Sequence, residues 1–277
     1  MDHPDKGAAI MNFSEQSTPP WPLPFGRPDW VPQVTDGMSI LVTGASGGIG
    51  SAVVRMLLEG SNCSIGAHSR ETPCAFDDDR VIPLVQNFSN ADDCDRIIDC
   101  FVNATGRIDA LVCLSGALHY ADHWMNISED EWTKEMQTTL DQPFFLTRAA
   151  MRHMKNQASG GRIVLTGTES ALHGGSPISF PYAVAKRGTE CMVQGMAREG
   201  ASSDILVNGL RFGFIASGFH ERWHDRTPNQ MAERSELVPL KRGGHVDEAA
   251  ALTIFLLSDW ARFITGQMIP LTGGDWL

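Results

Sequence analysis

The chain has 277 residues, of which 42% are hydrophobic and 20% are charged, with 22 Lys and Arg against 33 Asp and Glu. This composition is that of a folded α/β-sized domain with a full core, and it excludes disordered, collagen-like and coiled-coil proteins. The formal net charge of −11 argues against nucleic acid and membrane surfaces as partners, because such anionic surfaces are bound by clustered cations.

Cysteine usage and hydropathy indicate a cytoplasmic protein. The six cysteines are scattered and form no C-x-x-C pair, so we expect neither a zinc site nor a disulfide framework. The longest apolar run, residues 249–257, is far shorter than the ~20 residues that a membrane-spanning helix needs. The proline-rich start has no basic stretch followed by an apolar one, so we expect no export signal.

The first segment of the chain is predicted to lie outside the folded domain. Seven of the 15 prolines fall within its first 32 residues, where they disfavour both helix interiors and central strands. We therefore assign residues 1–37 to an N-terminal extension and residues 38–277 to one domain. The extension is either a flexible tail or, because Trp21, Phe25 and Trp30 are costly to leave in water, a segment that docks onto the body or a neighbouring subunit.

After the extension, short β-like runs alternate with helical patterns, which predicts a parallel sheet covered by helices on both faces. The predicted strands are residues 39–43, 63–67, 81–85, 108–113, 162–166, 205–208 and 267–271. A helix is predicted over residues 90–105. Ser128 and Glu131 form a capping-box pattern that opens another helix, which we expect to run toward Leu140.

A glycine-rich stretch, residues 44–50, lies between the first predicted strand and a helix. Such a turn brings backbone close to a pyrophosphate, and the helix N-terminus supplies free N–H groups. The stretch therefore predicts a dinucleotide site. The same residues also match two other motifs: a hydrolase nucleophile elbow centred on Ser46, and the glycine spacing of sugar-nucleotide epimerases at Gly44, Gly47 and Gly50.

Tyr182 and Lys186 are the second chemical signal. Residues four apart on a helix share one face, so the ammonium group is expected to stabilise the phenolate and lower the pKa of the tyrosine. The pair is suited to acid–base catalysis, and it decides among the interpretations of the glycine-rich stretch.

With these motifs the chain resembles the short-chain dehydrogenase/reductase family, in its single-domain branch with a Tyr-x-x-x-Lys helix. The resemblance covers residues 38–274. It also includes residues 109–112, 162–168, 207–213, 248–259 and 264–274. It implies a Rossmann-like three-layer αβα sandwich with a mostly seven-stranded parallel sheet, and hydride transfer between a nicotinamide and a carbonyl or alcohol substrate.

The resemblance also implies catalytic roles. Tyr182 is expected to exchange a proton with the substrate oxygen, while Lys186 binds the ribose hydroxyls and tunes the tyrosine. Thr168 stands where the family normally has a serine that binds the substrate oxygen, and Ser170 is the alternative if the loop carries an insertion. Thr139 stands where the family has an asparagine in its proton relay, so we expect that relay to be shortened or rebuilt.

Cofactor choice is expected to depend on the end of the second strand. No acid stands there, and His68, Ser69 and Arg70 are all potential phosphate donors, which favours NADP(H) over NAD(H). Against this, Ser46 replaces a basic residue often found in NADP-preferring relatives. The full set of expected cofactor-binding residues is Gly44, Ser46, Gly48, Ile49, Gly50, His68, Ser69, Arg70, Asn87, Gly116, Tyr182, Lys186, Gly213, Ile215 and Ser217.

Residues 214–240 correspond to a mobile substrate lid in relatives. The lid region and its flank carry Arg222, Arg226, Arg234 and Arg242, which either meet an acidic or phosphorylated substrate or are surface residues. His220 and His224 have helical spacing but no evident third ligand, so no metal site is predicted. By resemblance, helices near 138–155 and 179–199 imply a homodimer or homotetramer.

The leading hypothesis is an NADP(H)-dependent carbonyl reductase or alcohol dehydrogenase that acts on a small to medium organic substrate. One rival is a serine hydrolase built on Ser46. The other is a dinucleotide-binding scaffold or sensor with weakened turnover, because Thr139 and the Cys113-Leu-Ser-Gly116 stretch depart from the family pattern.

Overall fold

In the computed structural model, residues 25–119, 122–224 and 226–275 are described, and they contain one seven-stranded parallel sheet in the order β3-β2-β1-β4-β5-β6-β7. The strands are β1 Ser39–Thr43, β2 Ser64–Ser69, β3 Val81–Val85, β4 Ala110–Cys113, β5 Gly161–Thr168, β6 Ile205–Phe212 and β7 Met268–Leu271. All seven predicted strands are present, and the predicted fold class is confirmed. β2, β5 and β6 extend beyond their predicted ends.

Helices cover both faces of the sheet and give the three layers. They are α1 Gly48–Gly60, α2 Ala91–Thr105, α3 Glu129–Met136, α4 Gln142–Met154, α5 Phe180–Gly200, α6 Phe219–His224, α7 Pro228–Leu237 and α8 Val246–Leu257. Because strand side chains alternate, Ile40 and Val42 pack with α1 and α8, whereas Leu41 packs with α2, α4 and α5 on the other face. Within the described residues, no helix is long and apolar enough to cross a bilayer.

Local signals in the sequence set the helix ends. The Asn90 side chain accepts a hydrogen bond from the Asp93 N–H at the start of α2, and Gly106 ends that helix with a φ of +79°. The capping box of Ser128 and Glu131 is present at the start of α3.

The helix that begins at this capping box is interrupted before it reaches the predicted end. α3 ends at Met136, and a π-helical turn, Gln137–Asp141, leads into α4. Pro143 accounts for the change of geometry, because proline has no N–H to donate to the carbonyl oxygen of Thr139, four residues earlier.

The part of the N-terminal extension that the structure describes, residues 25–37, packs on the body of the domain. The ring of Phe25 stacks on that of His245 with 4.5 Å between centroids. Val31 and Val34 are buried in the core cluster that contains α1 and α8. Trp30 is 74% exposed, and Trp21 lies outside the described residues.

Candidate active site

A cavity of about 440 Å³ opens at the carboxyl ends of β1, β4, β5 and β6, with α6 and α7 along its outer wall. Strand order reverses between β1 and β4, and ligands of open α/β sheets bind in the crevice at such a switch point. The predicted site residues that line the cavity are Gly44, Gly48, Ile49, Gly50, Gly116, Thr168, Ser170, Tyr182, Lys186, Gly213, Ile215 and Ser217. Those that do not line it are Ser46, His68, Ser69, Arg70, Asn87 and Thr139.

The glycine-rich loop forms the floor of the cavity, and close backbone approaches explain its glycines. Gly44 has a φ of +72°, and a Cβ there would lie 2.7 Å from the Ser115 nitrogen. A Cβ on Gly48 would press on the backbone of Ser217, after β6. The loop therefore holds the segments after β4 and β6 against the start of α1.

The first N–H groups of α1 are available to a ligand. Its N-cap residue is Gly47, which supplies no side-chain acceptor to them. Free amides at the positive end of a helix dipole suit a pyrophosphate. By contrast, Ser46 does not line the cavity, so the cavity is not built around this serine as a hydrolase nucleophile.

Tyr182 lies in the first turn of α5 and Lys186 one turn later, and both line the cavity. Lys186 is 4% exposed, its Nζ donates a hydrogen bond to the Thr166 carbonyl oxygen at 2.8 Å, and it lies 5.7 Å from the centre of the tyrosine ring. Burial lowers the pKa of Lys186 to about 8.

The pKa of Tyr182 differs from the prediction. Burial and, secondly, the negative charge of Glu135 raise it above its ordinary value, whereas the sequence led us to expect a lowered value. The reason is that the phenol lies in a low-dielectric wall that disfavours the phenolate, while the ammonium group of Lys186 is directed at a carbonyl oxygen.

Two hydroxyl groups accompany the tyrosine. Thr168 is the last residue of β5 and Ser170 lies in the short helical turn that follows, Glu169–Leu172. Both line the same cavity as Tyr182, so the structure brings both candidates to the site.

Glu135 was missed by sequence reasoning. It is fully buried on α3 and accepts hydrogen bonds from the Thr139 hydroxyl at 2.8 Å and from the His119 N–H at 3.0 Å. Its charge raises the pKa of both Tyr182 and Lys186. Thr139, at the asparagine position of the resemblance, is thus tied to this carboxylate instead of lining the cavity. Nothing in the sequence around Glu135, between Lys134 and Met136, indicated this role.

The unusual stretch after β4 is braced by other side chains. Ser115 lies 3.0 Å from the hydroxyl of Thr43, and Gln142 donates to the Ser115 hydroxyl at 2.6 Å. The Thr166 hydroxyl donates to the carbonyl oxygen of Cys113 at 2.7 Å. These bonds join β1, β4, β5 and α4, so polar side chains brace the stretch that departs from the family pattern.

The end of β2 requires a correction to the predicted phosphate donors. His68 is 2% exposed, its Nδ1 accepts from the Gly44 N–H at 3.3 Å and its Nε2 donates to the Gln86 carbonyl oxygen at 2.8 Å. Burial lowers its pKa, so it is neutral and has no donor to spare. The Ser69 hydroxyl donates to the Thr72 carbonyl oxygen. Arg70 is exposed and pairs with its neighbour Glu71 at 2.8 Å.

Aromatic and basic side chains form the outer wall of the cavity. The ring of Phe219 lies 6.1 Å from that of Tyr182. The lid arginines that line the cavity are Arg222, Arg226 and Arg234. Arg242 lies elsewhere, in a pairing of two bonds with Glu248, both at 2.7 Å. Among the residues the structure describes, no group of three or more metal-ligating side chains occurs.

Comparison with known proteins gives consistent results. Residues 44–275 match a family model described as enoyl-(acyl carrier protein) reductase. The 3-oxoacyl-(acyl-carrier-protein) reductase FabG of Staphylococcus epidermidis is 33% identical over 247 residues, which are 86% of this chain and 99% of that protein. The FabG of Vibrio cholerae is 31% identical over 246 residues, 87% of this chain and 98% of that protein.

Two solved structures share the fold. A short-chain type dehydrogenase/reductase from Mycobacterium ulcerans aligns with a TM-score of 0.76 and 23% identity, over 87% of this chain and 90% of that chain. The ligand-free aldohexose dehydrogenase of Thermoplasma acidophilum aligns with a TM-score of 0.76 and 24% identity, over 86% and 94%.

Proposed function

The chain belongs to the short-chain dehydrogenase/reductase family of oxidoreductases, and from that premise we propose that it is an NADP(H)-dependent carbonyl reductase with Tyr182 as its general acid. One observation carries the proposal: Tyr182, Lys186 and the Thr168 hydroxyl line the same cavity as the glycine-rich loop. A proton donor and a dinucleotide-binding loop around one cavity are what carbonyl reduction requires.

The residues of the cavity fit a nicotinamide dinucleotide. The uncapped amides of α1 would hold the pyrophosphate, and the absence of side chains at Gly44 and Gly48 leaves backbone at the cavity floor. Lys186 would bind ribose hydroxyls, and Ile215 and Ser217 would lie against the carboxamide. When bound, the nicotinamide supplies the hydride that the carbonyl carbon receives.

The proton step follows from the charge states of the residues. Because the pKa of Tyr182 is raised, its phenol is protonated at neutral pH and donates its proton to the substrate oxygen as negative charge develops there. Lys186, with a pKa of about 8, is mainly an ammonium group at pH 7, and from 5.7 Å away its charge would favour the phenolate that results. The hydroxyl of Thr168 or Ser170 would hold the substrate oxygen in place.

The preference for NADP(H) rests on Arg70. It is an exposed guanidinium group at the end of β2, and guanidinium groups bind phosphate strongly. The family position where an acid would repel a 2′-phosphate holds no carboxylate. Its present partner, Glu71, is itself exposed, so the pair is solvent-screened and exchangeable.

We also propose that the enzyme assembles as a homodimer or homotetramer through α4 and α5. Each helix presents an exposed apolar side chain, Phe144 on α4 and Val184 on α5. Sedimentation velocity would test this, and a monomer at micromolar concentration would contradict it.

Replacing Tyr182 with phenylalanine tests the mechanism. The parent protein is first screened with NADPH against 3-oxoacyl thioesters and simple ketones, with the nicotinamide absorbance as readout. We expect Tyr182→Phe to lose about 10²–10⁴-fold in kcat, because it removes one hydroxyl and the general acid with it. NADPH binding, measured by fluorescence, should remain near that of the parent.

Each other outcome has a definite meaning. Turnover of Tyr182→Phe at the parental rate would contradict the role of the tyrosine. NADPH binding by the parent without reduction of any carbonyl would favour the scaffold or sensor hypothesis over the reductase.

A further inference from the structure

The charge of the cavity is opposite to that of the chain. Among the described residues, six ionisable side chains of Lys, Arg, Asp and Glu line it: Lys186, Arg222, Arg226, Arg234, Glu169 and Asp275. Basic groups thus outnumber acidic ones in this wall, although the whole chain has a formal charge of −11. A cleft with one dominant sign of charge concentrates ligands of the opposite sign.

Two of these arginines are also unusual in having no carboxylate partner among the residues that the structure describes. In the described ranges, most arginines have a guanidinium nitrogen within 4.0 Å of a carboxylate oxygen. The exceptions there are Arg55, Arg198, Arg222 and Arg226. Arg55 hydrogen-bonds the Ser51 hydroxyl. Two guanidinium groups at one cavity that no described carboxylate neutralises give this cavity anion-binding capacity.

The inner wall beside them holds polar atoms that lack partners. Arg234 pairs with Asp275 through Nη2, and its guanidinium carbon lies 5.2 Å from the centre of the Phe214 ring. Its Nη1 is buried and makes no hydrogen bond, as is also true of Oε2 of Glu169. Buried polar atoms without partners are costly. An acceptor on a ligand would satisfy Nη1 of Arg234, whereas Oε2 of Glu169 would need a donor such as a ligand hydroxyl.

The helix that carries Arg222 begins beside Tyr182. The Phe219 ring, three residues before Arg222 on α6, lies near the ring of Tyr182. Arg234 is on α7, across the outer wall from the glycine-rich loop. A substrate that meets Tyr182 therefore lies in the same cavity as Arg222, Arg226 and Arg234.

We propose that the carbonyl substrate of this enzyme carries an anionic group, a carboxylate or a phosphate ester, which Arg222 and Arg226 bind at the cavity mouth while Arg234 donates from the wall. The proposal rests on the proposed function and adds the class of substrate to it. Guanidinium groups bind both anions through paired N–H donors, so both classes share this chemistry.

The test compares matched substrates and matched variants. Straight-chain oxo acids of increasing length are compared with their methyl esters, and dihydroxyacetone phosphate with dihydroxyacetone, all with saturating NADPH. The variants are Arg222→Gln with Arg226→Gln, and Arg198→Gln as control. Arg198 is likewise exposed and has no carboxylate partner in the described part of the chain, but it lies on α5 and does not line the cavity.

We expect the parent and Arg198→Gln to show a kcat/KM at least tenfold higher for one anionic series than for its neutral partners. The double variant should lose this preference through a raised KM, with kcat for the neutral substrates and the Kd for NADPH unchanged. Which series responds, oxo acids or the phosphate ester, distinguishes the two sources of the anion.

Three results would overturn the proposal. The first is an equal loss for anionic and neutral substrates. The second is a weakened Kd for NADPH in the double variant, which would assign the arginines to the cofactor. The third is a parent that prefers neutral substrates.

If the parent reduced none of these carbonyls, the proposed function would fail separately. The arginine site would then be decided by thermal shift of the NADPH-bound protein with succinate and with inorganic phosphate. Stabilisation by either anion that the double variant loses would support the site, and no such difference would refute it.

Discussion

Replacing Gly48 with alanine tests whether contact between the glycine-rich loop and the segment after β6 forms the nucleotide site. Gly48 is the first residue of α1. A Cβ on it would lie 3.0 Å from both the Cα and the carbonyl carbon of Ser217, and closer to the carbonyl oxygen, whereas ordinary contacts begin at 3.4 Å. Because all three atoms belong to the backbone, one of the two segments must move.

The size of the effect follows from two opposing terms. Overpacking of this kind lowers the free energy of unfolding by about 1–3 kcal/mol. Alanine in place of glycine in a helix recovers roughly 0.5–1 kcal/mol. We expect a net loss of stability in Gly48→Ala. Moving either segment also disturbs the backbone that would hold the nucleotide, and we expect the Kd for NADPH to rise about tenfold or more, which corresponds to ~1.4 kcal/mol.

Gly195 offers the matched control. It lies within α5, and a Cβ there would meet nothing within 4 Å, so Gly195→Ala should raise stability by about 0.5–1 kcal/mol and leave NADPH binding unchanged. Urea unfolding and fluorescence titration with NADPH measure both quantities for the parent and the two variants. Equal stability and equal Kd for Gly48→Ala and the parent would refute the reasoning. A loss of stability without a change in the Kd for NADPH would show that this loop does not form part of the nucleotide site.

Two further predictions follow from the site. Arg70→Ala should weaken NADPH binding by roughly 10–100-fold, since a hydrogen bond to a charged group contributes about 1.5–3 kcal/mol. The Kd for NADH should stay unchanged. An equal change for both nucleotides would show that Arg70 does not bind the 2′-phosphate. Glu135→Gln removes a charge that raises the pKa of Lys186, so the pKa of Lys186 should fall below about 8. A pH profile of kcat should then show the activity declining at a lower pH than in the parent. An unchanged alkaline limb of that profile would exclude this electrostatic role of Glu135.

The fold was predictable because its signals are local. Apolar runs of four to six residues separated by capped helices are enough to indicate a parallel sheet with covering helices. The ends of strands are set by pairing instead: β6 continues to Phe212 because it pairs with β5 as far as Thr168. The π-helical turn before α4 depends on Pro143, a local cause that the apolar periodicity does not report.

Within the site, backbone geometry and motif spacing predicted which residues reach the cavity more reliably than what their side chains do there. Gly44, Gly48 and Tyr182 all line it, because each sits at a fixed offset from a strand end or helix start. His68 has the right position on β2, but its two ring nitrogens are occupied by backbone groups of Gly44 and Gln86. The sequence near His68 does not indicate that these backbone groups are its hydrogen-bond partners.

The same limit applies to charge. Net charge predicts long-range repulsion of anionic surfaces, but at physiological ionic strength that field is screened within about 8 Å. What a cavity attracts is decided by which charged side chains remain unpaired at its walls, and pairing is a tertiary property. Arg242 and Arg222 were equivalent candidates in the sequence, yet Arg242 is bound by Glu248 and Arg222 faces the cavity. A chain with a negative net charge can therefore have an anion-binding active site. Whether it does depends on which of its arginines are paired with carboxylates.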